Sequence, residues 1–368
     1  MSVECVGTLL FHDGHTPPVK GAKDFDPAFM LKLVQTFDAC GYDRILVPQS
    51  TYWPDSMPMA TWVTTVTKTL SVMIAHRPGF VTPTMAARMF ATLDQLSGGR
   101  AGIHVITGGN DLELQCDGDF LTKDQRYQRT REFVDVLRKM WAAESPVTHA
   151  GDHFRFNNSL GQLRPRQEPS IPVYFGGNSE SALQTAGACA DVYTFGLASL
   201  EDTAKIAEKV RSIAAAAGRD IRFQGTGRVI MADTEAEAWD RAREVAVKLE
   251  CDAAERSARL GGGRSDERLS TKKSTVERAV AADQARTSDI IDERLWLGTR
   301  IASKGQIAPA FVGTPTQVAD AYMRYYDLGF RSFFLRDFFP PIEDIEIVGA
   351  KLIPLLRERV ADRVKRAA

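Results

Sequence analysis

A charge excess of either sign is missing from this chain. Its 46 Lys+Arg stand against 47 Asp+Glu across 368 residues, a formal net charge of -1. Without a basic surplus there is no electrostatic footprint for nucleic acid, whose binding proteins displace counterions with clustered Lys and Arg. The same balance argues against attachment to an anionic membrane surface. No apolar run approaches the roughly 20 residues that a bilayer-spanning helix needs. The opening MSVECVGTLLFHDGH has neither a basic n-region nor a long apolar h-region, so the expectation is a cytoplasmic protein rather than a secreted one. Five cysteines (Cys5, Cys40, Cys116, Cys189 and Cys251) form no C-x-x-C pair and no even framework, and read as reduced thiols. Internal repeats and low-complexity tracts are also absent.

What is present is an alternation of strand and helix. VECVGTLLF (3–11) reads as a buried first strand. Asp26-Pro27 then caps a helix in which Phe29, Met30, Leu33, Val34 and Phe37 recur at helical spacing, and Gly41 ends it. RILVP (44–48), TLSVMIA (69–75), AGIHVIT (101–107), PVYF (172–175), ADVYTF (190–195), RFQGTGRVIM (222–231) and SFFLRDF (332–338) read as seven more strands. Helices are expected near 83–96, 124–141, 179–188, 200–217 and 234–250, and after Thr314-Pro315. Parallel strands need crossovers of this length, and eight of them close most naturally as a (β/α)8 TIM barrel. An open doubly wound sheet is the alternative, weakened because no G-x-G-x-x-G follows the first strand.

One stretch breaks the rhythm. Residues 252–305, with RLGGGRSDERLSTKKS at their centre, read as a lid insertion after strand seven within a single domain spanning 1–368. A bland solvated insertion is the competing reading. RFNNSLGQLRPRQEPS (155–170) is a shorter extension before strand five.

In such a barrel, chemistry gathers where strands end. Those positions hold His12 and His15 after strand one, Gln49, Tyr52 and Trp53 after strand two, and His76 and Arg77 after strand three. His104, Thr107, Gly108 and Gly109 close strand four, Gly176, Gly177, Asn178 and Ser179 follow strand five, and Phe195 ends strand six. Arg228 lies in strand seven, and Arg336, Asp337, Phe338 and Phe339 end strand eight. Imidazoles, arginines and aromatic rings with few carboxylates suit an anionic or planar ligand, and the mouth is expected to be basic despite the neutral total. They suit glycoside hydrolysis poorly, since that needs paired carboxylates. A metal-dependent barrel hydrolase is the second class of reading, but His12 and His15 are separated by a loop containing Gly14 and no further ligands complete a shell. The turn YFGGNSESA could present the N–H groups of Gly177, Asn178 and Ser179 to an anion at a helix N-terminus, or be an ordinary capped turn.

The run TLDQLSGGRAGIHVITGGNDLELQCDGDFLTKDQRYQRTREFVDVLRKMW (92–141) followed by PVYFGGNSESALQTAGACADVYTFG (172–196) resembles the bacterial-luciferase-like flavin monooxygenases, and among them the two-component alkanesulfonate monooxygenases. LLFHDGHTPP and VGTPTQVADAYMRYYDLGFRSFFL fit as well, so the resemblance covers nearly the whole chain outside 252–290. It implies FMN, bound reduced as FMNH2 and supplied by a separate NAD(P)H-dependent flavin reductase. It implies O2 as co-substrate and a flavin peroxide that oxygenates the substrate. It also implies a homodimer or homotetramer. Ala75, His76, His104 and Thr107 would lie against the flavin ring, and Tyr127, Gly177, Asn178 and Ser179 would hold its phosphate. A reductase or dehydrogenase using a deazaflavin or FMN on the same fold is the alternative.

On the substrate side the sequence departs from that pattern. The basic pair R-x-H of strand seven is Thr226 and Arg228 here, the cysteine after strand two is replaced by QSTYWPD, and Phe195 and Phe338 stand where tryptophan and tyrosine are expected. Arg300 and Lys304 both match the lid arginine, while His12 and Asp13 fit the first loop. The reading is a monooxygenase of a small anionic or organosulfur compound such as a sulfonate. Arg228 and His12 are its catalytic candidates, and Trp53, Phe195, Arg300, Arg336 and Phe338 its substrate contacts. No metal is expected.

Overall fold

The computed structural model describes residues 2–12, 25–259, 289–303, 307–336 and 341–367. Asp13, Lys304 and Phe338 lie outside the described residues, as does most of the glycine-rich centre of 252–305.

The chain runs β1 (Glu4–Thr8), α1 (Pro27–Ala39), β2 (Arg44–Val47), α2 (Ser56–Val66), β3 (Ser71–His76), α3 (Pro83–Ser97) and β4 (Ala101–Val105). It continues through α4 (Asp111–Cys116), α5 (Lys123–Ala142), the strand pair β5 (Val147–Ala150) and β6 (Arg155–Ser159), β7 (Val173–Gly176), α6 (Glu180–Cys189), β8 (Val192–Gly196), α7 (Leu200–Ala216), β9 (Arg222–Met231) and α8 (Glu235–Arg259). After it come β10 (Ile290–Ile291), β11 (Leu295–Trp296), α9 (Gly298–Ala302), β12 (Ala310–Gly313), α10 (Pro315–Asp327), β13 (Phe330–Arg336), α11 (Pro341–Ile347), one π turn and α12 (Ile353–Ala367). The strand order β9-β13-β1-β2-β3-β4-β7-β8, with β8 returning to β9, closes an eight-stranded parallel barrel flanked by helices. Closure excludes the open doubly wound sheet. All eight anticipated strands are the barrel strands.

The helix starts follow their capping chemistry. Asp26 accepts the N–H groups of Ala28 and Phe29, each at 3.0 Å, and Pro27 stands at the first helical position of α1. Thr122 with Gln125, and Thr314 with Gln317, form reciprocal capping boxes on α5 and α10. Gly98 ends α3 in the left-handed conformation at φ 75°, where any side chain would be strained.

Two compact units are distinguished. The first comprises Met1–Asp43, Thr194–Glu208 and Arg222–Ala368. Its core includes Phe37, packed so tightly over Gly7 that a Cβ there would lie 2.3 Å from the ring. A satellite of Ile230, Ala238, Ala242, Val245, Leu249, Trp296 and Val312 seats α8 beside β12. The second comprises Arg44–Tyr193 and Lys209–Ile221. Ile45, Val72, Ile74, Ile103 and Val173 fill its interior, each fully buried and contributing roughly 1.5–3 kcal/mol by the usual area relation.

Several elements differ from the sequence expectation. Helix α2 was not anticipated, because TWVTTVT is rich in β-branched residues; Asp55 nonetheless caps it through the Met57 N–H at 2.8 Å. The extension at 155–170 contributes β6, paired antiparallel with β5. Within 252–305, residues 252–259 continue α8, and 289–303 form β10, β11 and α9 with Leu295, Trp296 and Leu297 buried. β11 pairs antiparallel with β12, which pairs parallel with β9.

Candidate active site

Register places the second unit's candidates. In the β3–β4 ladder Ala75 stands beside His104 and His76 beside Val105, and Ile106 donates its N–H to the His76 carbonyl at 3.0 Å. In the β4–β7 ladder His104 stands beside Tyr174, one strand nearer the Gly177 turn. His76 belongs to β3 rather than to the loop after it. Its ring stacks on Phe133 at 5.2 Å and meets the edge of Phe90 at 5.5 Å.

These imidazoles are not cations. Burial pulls His76 down to about 4, and it does the same to His104. Three polar atoms here are sealed from solvent without a hydrogen-bond partner: His76 Nε2, His104 Nδ1 and Thr107 Oγ1. A buried polar atom left unpaired costs about 1–3 kcal/mol. All three lie at the C-terminal ends of the adjoining strands β3 and β4 or just after them.

The turn after β7 completes the arrangement. Gly177 has φ 147°, and a Cβ on it would lie 2.8 Å from the Cβ of Ala182 and 3.8 Å from the Tyr127 hydroxyl. Only glycine lets the strand run this close to the start of α6. Ser179 caps α6 by accepting the Ala182 N–H at 3.3 Å, and its Oγ lies 3.0 Å from the Tyr127 hydroxyl. Burial pushes the Tyr127 phenol up, so it stays protonated. Tyr193, on β8, donates to the Gly177 carbonyl at 2.6 Å and pins the turn from its other side. Tyr193 was missed by the sequence reading; its only signal was a tyrosine on the strand next to the glycine turn. Glu180, in the first turn of α6, is paired with Lys209 at 2.5 Å, which offsets its charge beside the turn.

Arg77 is a further buried group. Its Nη2 reaches Glu113 at 2.5 Å, and its N–H donates to Gln49 Oε1 at 3.1 Å. Burial pushes Glu113 up, but hydrogen bonds from Arg77, Ser50 and Thr51 outweigh it and leave the carboxyl below its ordinary range. Trp53 lines a cavity of about 520 Å³ in this unit together with His76.

In the first unit, Arg228 on β9 is half-buried and stands in register with Arg336 of β13. Two of the anticipated substrate-side cations are thus backbone neighbours. Arg300 lies on α9, and His12, half-buried, follows β1. Phe195 is buried among Phe223 and Phe330, with ring centroids at 6.5 and 5.4 Å. Among the described residues no group of three His, Cys, Asp or Glu side chains could hold a metal ion. Nor is any described helix long and apolar enough to cross a membrane.

A family model described as luciferase-like monooxygenase matches residues 6–332. The EDTA monooxygenase from Chelativorans sp. BNC1 is 18% identical with a TM-score of 0.74, over 98% of this chain and 94% of that one. The oxygenating constituent of 3,6-diketocamphane monooxygenase from Pseudomonas putida, solved with FMN, is 19% identical with a TM-score of 0.69, over 96% and 99%. An F420-dependent secondary alcohol dehydrogenase is 17% identical with a TM-score of 0.69, over 97% and 100%.

Proposed function

The chain belongs to the luciferase-like monooxygenase family, a family of flavin-dependent oxidoreductases, and on that premise we propose that it uses FMN in reduced form and O2 to oxygenate a small organic compound. The observation that carries the reading is the Gly177–Ser179 turn, with the Tyr127 hydroxyl 3.0 Å from Ser179 Oγ and three partnerless polar atoms on the same unit's strand ends.

The residues fit such a cofactor. A phosphate is a dianion that wants backbone N–H groups, a helix N-terminus and hydroxyl donors, which Gly177, Asn178, Ser179 and Tyr127 offer. A flavin ring carries carbonyl and ring-nitrogen edges that would satisfy His76 Nε2, His104 Nδ1 and Thr107 Oγ1, with Ala75 giving a flat wall. Bound reduced FMN would supply the two electrons that let one atom of O2 enter the substrate while the other leaves as water. The neutral His76 and His104 orient by hydrogen bonding and add no charge. Arg228 binds and neutralises an anionic group, and its planar guanidinium can clamp a sulfonate or carboxylate through two hydrogen bonds. It does not shuttle protons at neutral pH, so proton transfer falls to the imidazole of His12. Arg300 and Arg336 reinforce the anion preference, and Trp53 supplies apolar contact. The substrate class is therefore a small anionic or organosulfur compound such as a sulfonate. The family resemblance also supports a separate NAD(P)H-dependent flavin reductase, a homodimer or homotetramer, a lid within 252–305 of one barrel domain, and a cytoplasmic location.

The test couples the purified protein to a flavin reductase with NAD(P)H, FMN and O2, and screens sulfonates and sulfones for sulfite release. Oxygen-dependent product, with kcat/KM falling at least about 100-fold in Arg228→Ala, supports the reading. Unchanged kcat/KM in that variant overturns the role of Arg228. Anaerobic reduction of substrate with F420, and no binding of FMN, would move the chain to the deazaflavin reductases.

A further inference from the structure

Within the second unit, two glycines bracket the segment that follows β4. Gly108, with φ 87°, stands before α4, and Gly118, with φ 83°, stands after it, both in the left-handed region. Asn110 Oδ1 caps the short helix by accepting the N–H groups of Leu112 and Glu113 at 3.1 and 3.4 Å. Leu114, buried, folds back over the first glycine so closely that a Cβ on Gly108 would lie 2.6 Å from its Cδ1.

The fastenings of this segment cross three strand ends. Glu113 Oε1 accepts from Arg77 Nη2 at 2.5 Å, just beyond β3. It also accepts from Ser50 Oγ at 2.8 Å and the Thr51 N–H at 3.1 Å, just beyond β2. Thr51 Oγ1 lies 2.5 Å from Asp117 Oδ2 and 3.1 Å from the Glu113 carbonyl. Since the segment leaves from β4, it reaches across the C-terminal ends of β4, β3 and β2. The first two of those ends carry His104, Thr107, Ala75 and His76.

Charge is divided between frame and segment. The cations, Arg77, Arg126 and Arg129, belong to the β3 end and to α5, while their partners Asp111, Glu113, Asp117 and Asp119 all follow β4. The pairs differ in exposure. Asp119 lies beyond Gly118 with its side chain 3% exposed, paired with an Arg129 that also packs on Gly79, where a Cβ would lie 2.4 Å from Nη1. That pair is shielded from salt and anchors the far edge to α5. Asp111 and Asp117, between the glycines, are 69% and 36% exposed, so dissolved ions screen their attraction to Arg126 and Arg77.

We propose that residues 109–117 form a hinged flap, pivoting at Gly108 and Gly118 and latched by Arg77 on Glu113, that gates passage of a ligand to the ends of β3 and β4. Opening keeps the Asp119–Arg129 anchor and releases Asp111, Glu113 and Asp117. The inference rests on the proposed monooxygenase reading only for the ligand that passes, FMN; the hinge stands apart from it. A latch that holds the same closed state before and after binding scales both rates by the open fraction and leaves affinity alone.

The test is stopped-flow mixing of the full chain with oxidised FMN, read by flavin fluorescence, beside hydrogen exchange of the full chain without FMN. Glu113→Gln removes the charged acceptor and is expected to raise association and dissociation rates together by at least about fivefold, with Kd moving less than about twofold. Gly118→Ala places a Cβ that meets nothing within 4 Å, so it penalises only the left-handed closed backbone. It should speed both rates by about five- to thirtyfold, while Gly118→Asn, which tolerates that conformation, stays nearer wild type. Amides of residues 112–117 should exchange faster in Glu113→Gln and Gly118→Ala, and in wild type as salt rises from about 0.05 to about 0.5 M, while those of β3 and β4 do not change. A weakened Kd at an unchanged association rate overturns the proposal, because the segment would then be a wall of the site. So does exchange at 112–117 that rises no more than that of β4. Failure of wild type to bind FMN, with exchange responding as described, would sink the monooxygenase reading and leave the flap standing. Normal FMN binding with unresponsive exchange would do the reverse.

Discussion

Replacing Gly177 by alanine puts the proposed cradle under a load that the structure lets one apportion. The first cost is conformational: φ 147° lies where L side chains rarely sit, and holding a residue in such a region costs about 1–3 kcal/mol. The second is steric, because the new Cβ would lie 2.8 Å from the Cβ of Ala182. That partner is a methyl group fixed to the first turn of α6 and has no rotamer by which to withdraw, so the strand and helix must separate by several tenths of an ångström. Overpacking of this kind costs about 1–3 kcal/mol. The sum is about 2–6 kcal/mol. A displacement of that size also draws the Ser179 cap away from Tyr127 and misaligns the N–H groups of the turn. The assay is urea denaturation together with FMN titration on four proteins: wild type, Gly177→Ala, Ala182→Gly and the double variant. Ala182→Gly alone should cost about 1 kcal/mol as a helix glycine. In the double variant the clash disappears but the backbone penalty remains, so the two substitutions should couple favourably by about 1–2 kcal/mol. Strict additivity would show that steric contact plays no part. A Gly177→Ala protein with wild-type stability and wild-type FMN affinity would refute both the strain argument and the cradle.

Tyr127→Phe removes the hydroxyl 3.0 Å from Ser179 Oγ and should weaken FMN binding about fivefold, near 1 kcal/mol, with little change in the urea midpoint. Stability should also depend on pH through His76 and His104, each held at about 4 against an ordinary 6.5. Between those values the unfolded chain binds protons that the folded chain does not, so stability is full above 6.5 and falls as pH drops. The loss should reach about 2 kcal/mol per histidine by about pH 5, read from urea midpoints, and a flat profile would contradict the neutral assignment. Arg77→Ala strands Glu113 in a partly buried site and should lower stability by about 2 kcal/mol, with Arg77→Lys restoring less than half because an ammonium cannot make the same fork of bonds. Thermal unfolding checks both variants.

The barrel was legible because its signals are local. Pro83 and Gly98 bracket α3, Thr314 and Gln317 cap α10, and RFQGTGRVIM matches β9 over its whole length, 222–231. Elements escaped where local preference and tertiary context disagree, as in α2, or where a strand is two residues long and exists only by pairing, as in β10 and β11. The turn at Gly177 could be seen as an anion loop with a capped turn equally open. Tyr127 and Tyr193 arrive at this turn from α5 and β8, and no spacing in the chain announces that convergence.

Charge was the hardest property to read. Counting His76, His104 and the arginines near strand ends suggested a basic mouth, yet side-chain type records only what a group carries in water. In the second unit burial strips the charge from both imidazoles. Two buried arginines and the half-buried Arg129 are meanwhile each matched by an acid from the short stretch after β4: Arg77 by Glu113, Arg126 by Asp111 at 2.7 Å, and Arg129 by Asp119. Desolvating a guanidinium is costly unless a carboxylate accompanies it, so the acids of NDLELQCDGD are a condition for burying those arginines at all. Near-neutrality of the whole chain is repeated inside this unit. What remains to attract a ligand there is a set of partnerless neutral polar atoms and the backbone N–H groups of the Gly177–Ser179 turn, neither of which carries a formal charge. The anion preference argued for Arg228 therefore stands on the first unit's residues alone, where Arg336 lies beside it in register.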